Sequence, residues 1–380
     1  MYKKKILRII STINLVSGGP AQALIHSNQD LVNNGMKVDI ITSDANNSNY
    51  FKNKNIKIFK FGSPSFVGCF IFNINLFFFL LKNKSNYSHV LVHGIWGFKS
   101  TICRFLIKRY MVFVHGSLHK SEAKKGFFKN LKKKIYWNLL EKKNLIKSQF
   151  VILTSELEKK NFKNTFVKTK NIKTKFIKYG ILEKKNNLSK AVKLFNIKFP
   201  SIKQNAFYLY LGRIHSQKGC DILIKSMKNT KKKLLIMGNF NDLNYENYLK
   251  SIISKNKIKN IIISKPQYGL VKWGALKCCI AFVSSTHGEN FGISIVEAMS
   301  FGKPVIITNK VNIYKKIKNF NAGIISSDNL NSFSNSIKKF EKLNKTNVKK
   351  MGLNSYKCFK ENFDLNESNV TLAHYLKKIN

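Results

Sequence analysis

Short runs of β-branched and aliphatic residues alternate along this chain with stretches whose apolar positions recur every three or four residues. In the first half, 6–13, 38–42, 90–93, 111–115 and 150–154 read as buried strands. A helix is predicted over 21–33, closed by Gly35, since glycine readily ends a helix. A second series of strands is predicted at 207–211, 234–237, 261–264, 280–284 and 304–308. Repeated strand-helix units of this kind imply parallel sheets covered by helices on both faces. Between the two series lies a Lys- and Asn-rich, weakly patterned stretch, 183–205, where the domain boundary is expected. The expected organisation is a first domain at 1–185, a second at 186–360 and a C-terminal helical segment at 361–380.

Two segments depart from this alternation. Residues 66–81 are nearly all apolar but include Asn73 and Asn75. As one helix they would span about 24 Å against about 30 Å of hydrocarbon, so a buried or interfacial helix is expected. In 127–146, Phe128, Leu131, Ile135 and Leu139 fall at helical spacing, crowded by lysines at 129, 132, 133, 134, 142 and 143. That helix fits either an anionic membrane surface or an apolar stripe packed on the sheet.

Composition sharpens part of the picture. A length of 380 residues suits two domains, and 44% hydrophobic residues excludes a disordered chain. Net charge is +50, and arginine occurs only at Arg8, Arg104, Arg109 and Arg213, so 64 of the 68 basic residues are lysine. Lysine spread along the whole chain, with abundant Asn, Ile and Phe, fits AT-rich coding as well as a basic surface for phosphate or anionic lipid. Nucleic-acid binding rests on charge alone and is not expected. Six cysteines lack the spacing of a zinc site or disulfide framework and read as thiols in a reducing cytosol. The N-terminal apolar stretch is too short for a signal peptide and reads as a strand.

The most informative string is Ser285-Thr286-His287-Gly288-Glu289-Asn290-Phe291-Gly292-Ile293-Ser294-Ile295-Val296-Glu297. On one continuous helix Glu289 and Glu297 would lie roughly 80° apart and about 12 Å along the axis, sharing no face. If Glu289 lies on a loop and the helix starts near Gly292, both acids can border one ligand, with the helix amides between them for a phosphate. Upstream, a strand ends in Gly212-Arg213 and leads to Lys218-Gly219 and a helix. An arginine in a chain that elsewhere uses lysine suggests a planar fork for bidentate phosphate binding, with Lys218 adding a point charge. Gly18-Gly19 follows the first strand, where backbone amides can approach a ligand or simply turn the chain. His115-Gly116 closes another strand and fits either a substrate contact or a structural histidine, whereas His93-Gly94 reads as structural. No Asp-x-Asp pair occurs, so no metal is expected to bridge a diphosphate.

Taken together, these strings resemble glycosyltransferase family 4, nucleotide-sugar glycosyltransferases of the GT-B fold. The resemblance runs from Gly18 to about Phe363 and is most specific between Leu209 and Ile307. It implies an α/β fold of two Rossmann-like doubly wound domains facing across a cleft, with a C-terminal helix crossing back to the first. It implies transfer from a nucleotide-sugar donor with retained anomeric configuration, and no cofactor. Glu289 would bind donor-sugar hydroxyls, and Phe291, Gly292 and Ile293 would offer amides to sugar and phosphate. Glu297 would hold the ribose, Arg213 and Lys218 the departing diphosphate, and Gly18 and Gly19 would contact the donor. His115 would lie near the sugar and acceptor. Domain closure would exclude water.

The stretch 89–156 looks most like members that build exopolysaccharide or lipid-linked surface glycans. That implies a glycan or lipid-linked acceptor and a cytoplasmic enzyme peripheral at the inner face of the cell membrane. Two departures from the family pattern are Lys178-Tyr179-Gly180-Ile181-Leu182 at the domain junction and Ser285 where proline is frequent. A non-catalytic scaffold of a polysaccharide-assembly complex, or a GT-B epimerase or phosphorylase, are the competing expectations.

Overall fold

The computed structural model describes residues 4–14, 19–44, 55–62, 65–67, 70–72, 74–118, 127–163, 169–177, 179–184, 186–240, 242–366 and 371–379. The chain divides into two compact units, Met1–Tyr179 with Asn369–Asn380, and Gly180–Ser368.

The first unit contains β1 (Lys5–Ile10), β2 (Lys37–Thr42), β3 (Ile56–Lys60), β4 (Ser65–Val67), β5 (Phe70–Phe72), β6 (His89–His93), β7 (Tyr110–Phe113), β8 (Phe150–Leu153) and β9 (Thr174–Phe176). Seven of these form one parallel sheet in the order β3-β2-β1-β6-β7-β8-β9. The order reverses between β1 and β6, and open parallel sheets bind ligands beyond the carboxyl ends of their strands at such a reversal. On one face of the sheet Leu7 and Ile9 of β1, Val90 and Val92 of β6, Val112 of β7 and Val151 and Leu153 of β8 are buried in one core with Trp137 and Leu145.

The second unit contains β10 (Phe207–Leu211), β11 (Lys233–Met237), β12 (Ile261–Ser264), β13 (Ala281–Ser284), β14 (Val305–Thr308) and β15 (Gly323–Ser326). They form a parallel sheet in the order β12-β11-β10-β13-β14-β15, which reverses between β10 and β13. Both sheets are of Rossmann type, in agreement with the expected fold class.

Two expectations need correction. The run 66–81 is not one helix: β4 and β5 pair antiparallel, and a helix follows over Ile74–Asn83. Its aromatic and β-branched residues are strand formers, and a strand pair satisfies them without a long apolar helix. No helix among the described residues is long and apolar enough to cross a membrane. The weakly patterned stretch 183–205 holds the helix Leu188–Lys198, with Ala191 and Phe195 buried. This helix lies so close to the helix Gly269–Cys278 that a Cβ at Gly274 would sit 2.2 Å from the Ala191 carbonyl oxygen. Only glycine fits there.

The second concerns 127–146, which splits into helices Phe127–Tyr136 and Lys142–Lys147 joined by a π turn at Trp137–Glu141. Tyr136, Trp137, Glu141 and Leu145 are buried, whereas Leu131, Ile135, Leu139 and Ile146 are exposed. Of the two alternatives for the apolar stripe, packing on the sheet is not what Leu131, Ile135 and Leu139 do, since they face solvent; the Phe128 side chain lies outside the described residues.

Near the C-terminus, the helix Lys345–Phe363 belongs to the second unit and the helix Leu372–Lys378 to the first. Asp30 accepts hydrogen bonds from the Thr371 hydroxyl and the Ala373 amide, and its burial raises its carboxyl pKa. Lys4 Nζ donates to the carbonyl oxygens of Leu376 (2.8 Å) and Ile379 (2.7 Å). Among the described cysteines, Cys103, Cys220, Cys278, Cys279 and Cys358 are buried free thiols; Cys69 lies outside the described residues.

Candidate functional site

In the second unit the polar residues gather where the strand order reverses. Leaving β10, the chain turns at Gly212-Arg213, and the Tyr210 hydroxyl donates to the Arg213 carbonyl at 2.9 Å. Arg213 is half-buried and has no ion-pair partner among the described residues. One 3-10 turn, Ser216–Lys218, follows, its start capped by His215 Nδ1 accepting from the Gln217 amide. Gly219 then takes φ +63°, and a Cβ there would lie 2.3 Å from the Ser285 carbonyl oxygen. This left-handed, backbone-crowded position requires glycine.

The loop after β13 is strapped to that turn. Ser285 Oγ donates to the Gly219 carbonyl at 2.6 Å, and the His287 amide donates to the Gln217 carbonyl at 3.0 Å. Glu289 is fixed from the other side, donating its amide to the Lys310 carbonyl (3.1 Å) and accepting from the Asn312 amide (2.9 Å). The helix Ile293–Ser300 begins after Gly292, which has φ +75°. Glu289 thus sits on the loop and Glu297 on the helix, as the sequence suggested.

Their partners were not foreseen. Lys218 Nζ lies 2.6 Å from Glu289 Oε2, and Lys272 Nζ lies 2.6 Å from Glu297 Oε1. Burial alone would raise the Glu289 pKa. The Lys218 charge and hydrogen bond, with the Gly292 and Phe291 amides, outweigh it and hold the carboxyl below its usual value of 4.5. Those two amides therefore serve Glu289, and the Ile293 and Ser294 amides are the ones without a partner among the described residues. The Phe291 side chain is buried, its ring edge-on to Phe363 at 5.7 Å.

In the first unit Gly18 lies outside the described residues, and Gly19 is the first residue of the helix Gly19–Asn33 after β1. His115 is not in β7, as predicted, but two residues past its end, with φ +47° and Gly116 following at +73°. A left-handed histidine is uncommon and strained, which draws attention to what its ring does. The His115 ring stacks on His93 (centroids 5.2 Å apart), which stacks on Phe113 (4.5 Å). His93 Nδ1 lies 3.0 Å from His115 Nε2, and Arg8 Nε donates to His93 Nε2 at 3.1 Å. Desolvation, and the charges of Arg8 and Lys99, push the His115 pKa down to about 3 and that of His93 well below its usual value.

The sequence reading missed Arg8, Lys272 and the strap made by Ser285. Arg8 resembled any strand residue, although its being one of four arginines was a signal. Lys272 was one lysine among many, and the Ser285 bond exists only once two distant loops meet.

Comparison with known proteins agrees with this geometry. Residues 193–357 match the family model described as glycosyl transferases group 1. No curated protein matches the sequence. Among solved structures, a glycosyltransferase from Rickettsia africae ESF-5 is 19% identical with a TM-score of 0.74, and all of both chains is covered. Anabaena HepE in complex with UDP and glucose is 16% identical with a TM-score of 0.76, covering 99% of this chain and all of HepE. WaaG, a glycosyltransferase of lipopolysaccharide biosynthesis, is 12% identical with a TM-score of 0.73, covering 98% of this chain and all of WaaG.

Proposed function

We propose, from the GT-B fold and the match of residues 193–357 to the glycosyl transferases group 1 model, that the chain moves a hexose from a nucleotide-sugar donor to a glycan or lipid-linked acceptor of a surface polysaccharide, with retained anomeric configuration. The observation that carries the reading is the β10/β13 reversal, where Arg213, Lys218, Glu289 and the start of the helix Ile293–Ser300 converge. HepE binds UDP and UDP-glucose, which supports a nucleotide-sugar donor here.

In the transfer step the bond from the anomeric carbon to the diphosphate oxygen breaks, and negative charge grows on the leaving diphosphate. Arg213 supplies a fork without a competing carboxylate, Lys218 a point charge, and Ile293 and Ser294 two amides at the positive end of a helix. In a reaction of this kind such preorganised charge usually lowers the barrier more than any other effect. Glu289 receives hydroxyls of the donor sugar and Glu297 those of the ribose. Within the first unit, His115 is the residue proposed to bond a sugar hydroxyl. The exposed Leu131, Ile135, Leu139 and Ile146, set among lysines, form a face suited to an anionic membrane, where a lipid-linked acceptor is presented.

Thermal stabilisation across a panel of UDP-, GDP- and ADP-sugars, without added metal, tests the reading. One nucleotide class should raise Tm, and Arg213→Ala should abolish the rise. Stabilisation that survives Arg213→Ala, or none with any donor, would remove the proposed site.

A further inference from the structure

Arg8 lies in the middle of β1, fully buried, and no carboxylate among the described residues comes within ion-pair distance. A buried cation without an anion is costly to fold. Its guanidinium bonds instead to neutral groups: Ser27 Oγ at 2.8 Å, Asn28 Oδ1 at 2.6 Å and His93 Nε2 at 3.1 Å. The last bond is the consequential one.

Arginine has donors and no acceptor, and stays protonated. His93 Nε2 must therefore present its lone pair, which places the single proton of the neutral His93 ring on Nδ1. That proton points at His115 Nε2, 3.0 Å away, which must in turn be bare. The His115 proton is thereby assigned to Nδ1, a nitrogen with no hydrogen-bond partner among the described residues. Each step follows from the donor inventory.

We propose that Arg8 and His93 are positioning residues that hold His115 as a neutral imidazole with its proton on Nδ1, so that His115 donates a hydrogen bond to a sugar oxygen and does not act as a general acid or base. The stack of Phe113, His93 and His115 keeps the rings in register. The left-handed turn at His115-Gly116 aims the ring and is anchored by Glu158 Oε1, which accepts from the Gly116 amide at 2.8 Å. On the adjacent helix Phe98–Leu106, Lys99 donates to the His93 carbonyl and to Ser11 Oγ. A second cation beside the pair further opposes protonation of either ring. Asp30 and Tyr179 act electrostatically on Arg8 and favour its charged form. Two neutral histidines agree with the depressed pKa values of both.

The use of the relay in transfer rests on the glycosyl-transfer reading, but the ring states do not. Nitrogen NMR of the full chain labelled at histidine reads both rings directly, with His93→Asn and His115→Asn assigning the signals. Protons on Nδ1 of both rings, unchanged from about pH 8 to about pH 5, support the relay. A proton on His115 Nε2, or titration of either ring in that window, overturns it whether or not the protein transfers sugar.

Kinetics supply the second arm. An asparagine amide stands near the Nδ1 position and a glutamine amide near Nε2, so His115→Asn should keep kcat within about tenfold while His115→Gln loses about 10²–10³. The reverse order overturns the donor assignment. Arg8→Met should lower kcat more than it raises KM and introduce a pH dependence near neutrality that the native enzyme lacks. A fall in KM and kcat alike, with a flat pH profile, would reduce Arg8 to a structural residue.

Discussion

Lys218 and Glu289, 71 positions apart in the chain, meet as an ion pair of 2.6 Å between the loops that follow β10 and β13. One is expected to face the diphosphate and the other the sugar, yet the two neutralise each other. The loops are held together independently by Ser285 and His287. The pair thus keeps a positive and a negative group at the site in an orderly, mutually satisfied state that an incoming donor can re-partition.

Removing Lys218 should alter both rate and pH response. Because the Glu289 pKa is depressed, the stability contributed by its ionised form is present above the ordinary carboxylate pKa and is lost as pH falls through the lower folded value. In Lys218→Met that depression shrinks, so the acid limb of the pH–rate profile moves toward neutrality. The lost cation should lower kcat by about 10²–10³. An unmoved acid limb would show that the pair does not set the ionisation of Glu289.

At Arg213 the expected effect is on ligand and not on fold. With no ion-pair partner among the described residues, Arg213→Ala should change unliganded stability by no more than about 0.5 kcal/mol. It should abolish stabilisation by the nucleotide sugar. Arg213→Lys should recover only part of the binding, since a point charge replaces a fork. Full recovery would argue against bidentate contact, and paired thermal melts with and without donor make the distinction.

Gly219→Ala combines a left-handed backbone with a Cβ 2.3 Å from the Ser285 carbonyl. A loss of about 1–3 kcal/mol in denaturant unfolding is expected from the backbone strain. Ser285→Ala removes one hydrogen bond and should cost about 1 kcal/mol. A Gly219→Ala variant as stable as the parent would mean that the strap is not rigid.

Lys272→Met leaves Glu297 with a buried charge and should cost about 3 kcal/mol, the low end for breaking a buried pair, because both side chains keep a little exposure. The double variant Lys272→Met with Glu297→Gln should regain much of that stability and still bind the donor weakly. Recovery of binding together with stability would remove the ribose role of Glu297. Calorimetric titration of the nucleotide against both variants decides it.

Membrane association is testable on the exposed face of 131–146. Flotation with vesicles containing anionic lipid should recover the native protein at low salt and less of it at high salt, since each lysine near such a surface contributes about 1 kcal/mol. Leu131→Glu with Ile135→Glu, 46% and 51% exposed in the native protein, should abolish flotation and leave Tm unchanged. Undiminished flotation would place the contact elsewhere.

The interior strands were legible because a strand buried on both faces must be a continuous β-branched run, as in Phe207–Leu211 and Val305–Thr308. Besides β4 and β5, the strands passed over were β3, β9 and β15, all edges of the two parallel sheets. Edges carry polar residues such as Lys57 and Lys175, which blur the pattern. The helix start near Gly292 was legible from glycine, and the acids from their spacing around it. What stayed hidden were partnerships across long sequence distances, Lys272 with Glu297 and Arg8 with His93, since side-chain pairing between elements leaves no periodic trace. The helix Leu188–Lys198 was not foreseen in the weakly patterned stretch 183–205, because Ala191 and Phe195 bury against Gly274, a fit no local pattern reveals.

The first unit is built from two separated pieces of chain, with Leu372–Lys378 seated on Asp30 and Lys4. During synthesis that helix leaves the ribosome only after the whole of the second unit. The second unit is one uninterrupted segment, whereas the first cannot be completed by its N-terminal piece alone and departs from the usual N-terminal-first order. Until then Asp30 and the Lys4 ammonium face water. Completion of the first unit is therefore a late event, because the helix that closes it is synthesised after every element of the second unit.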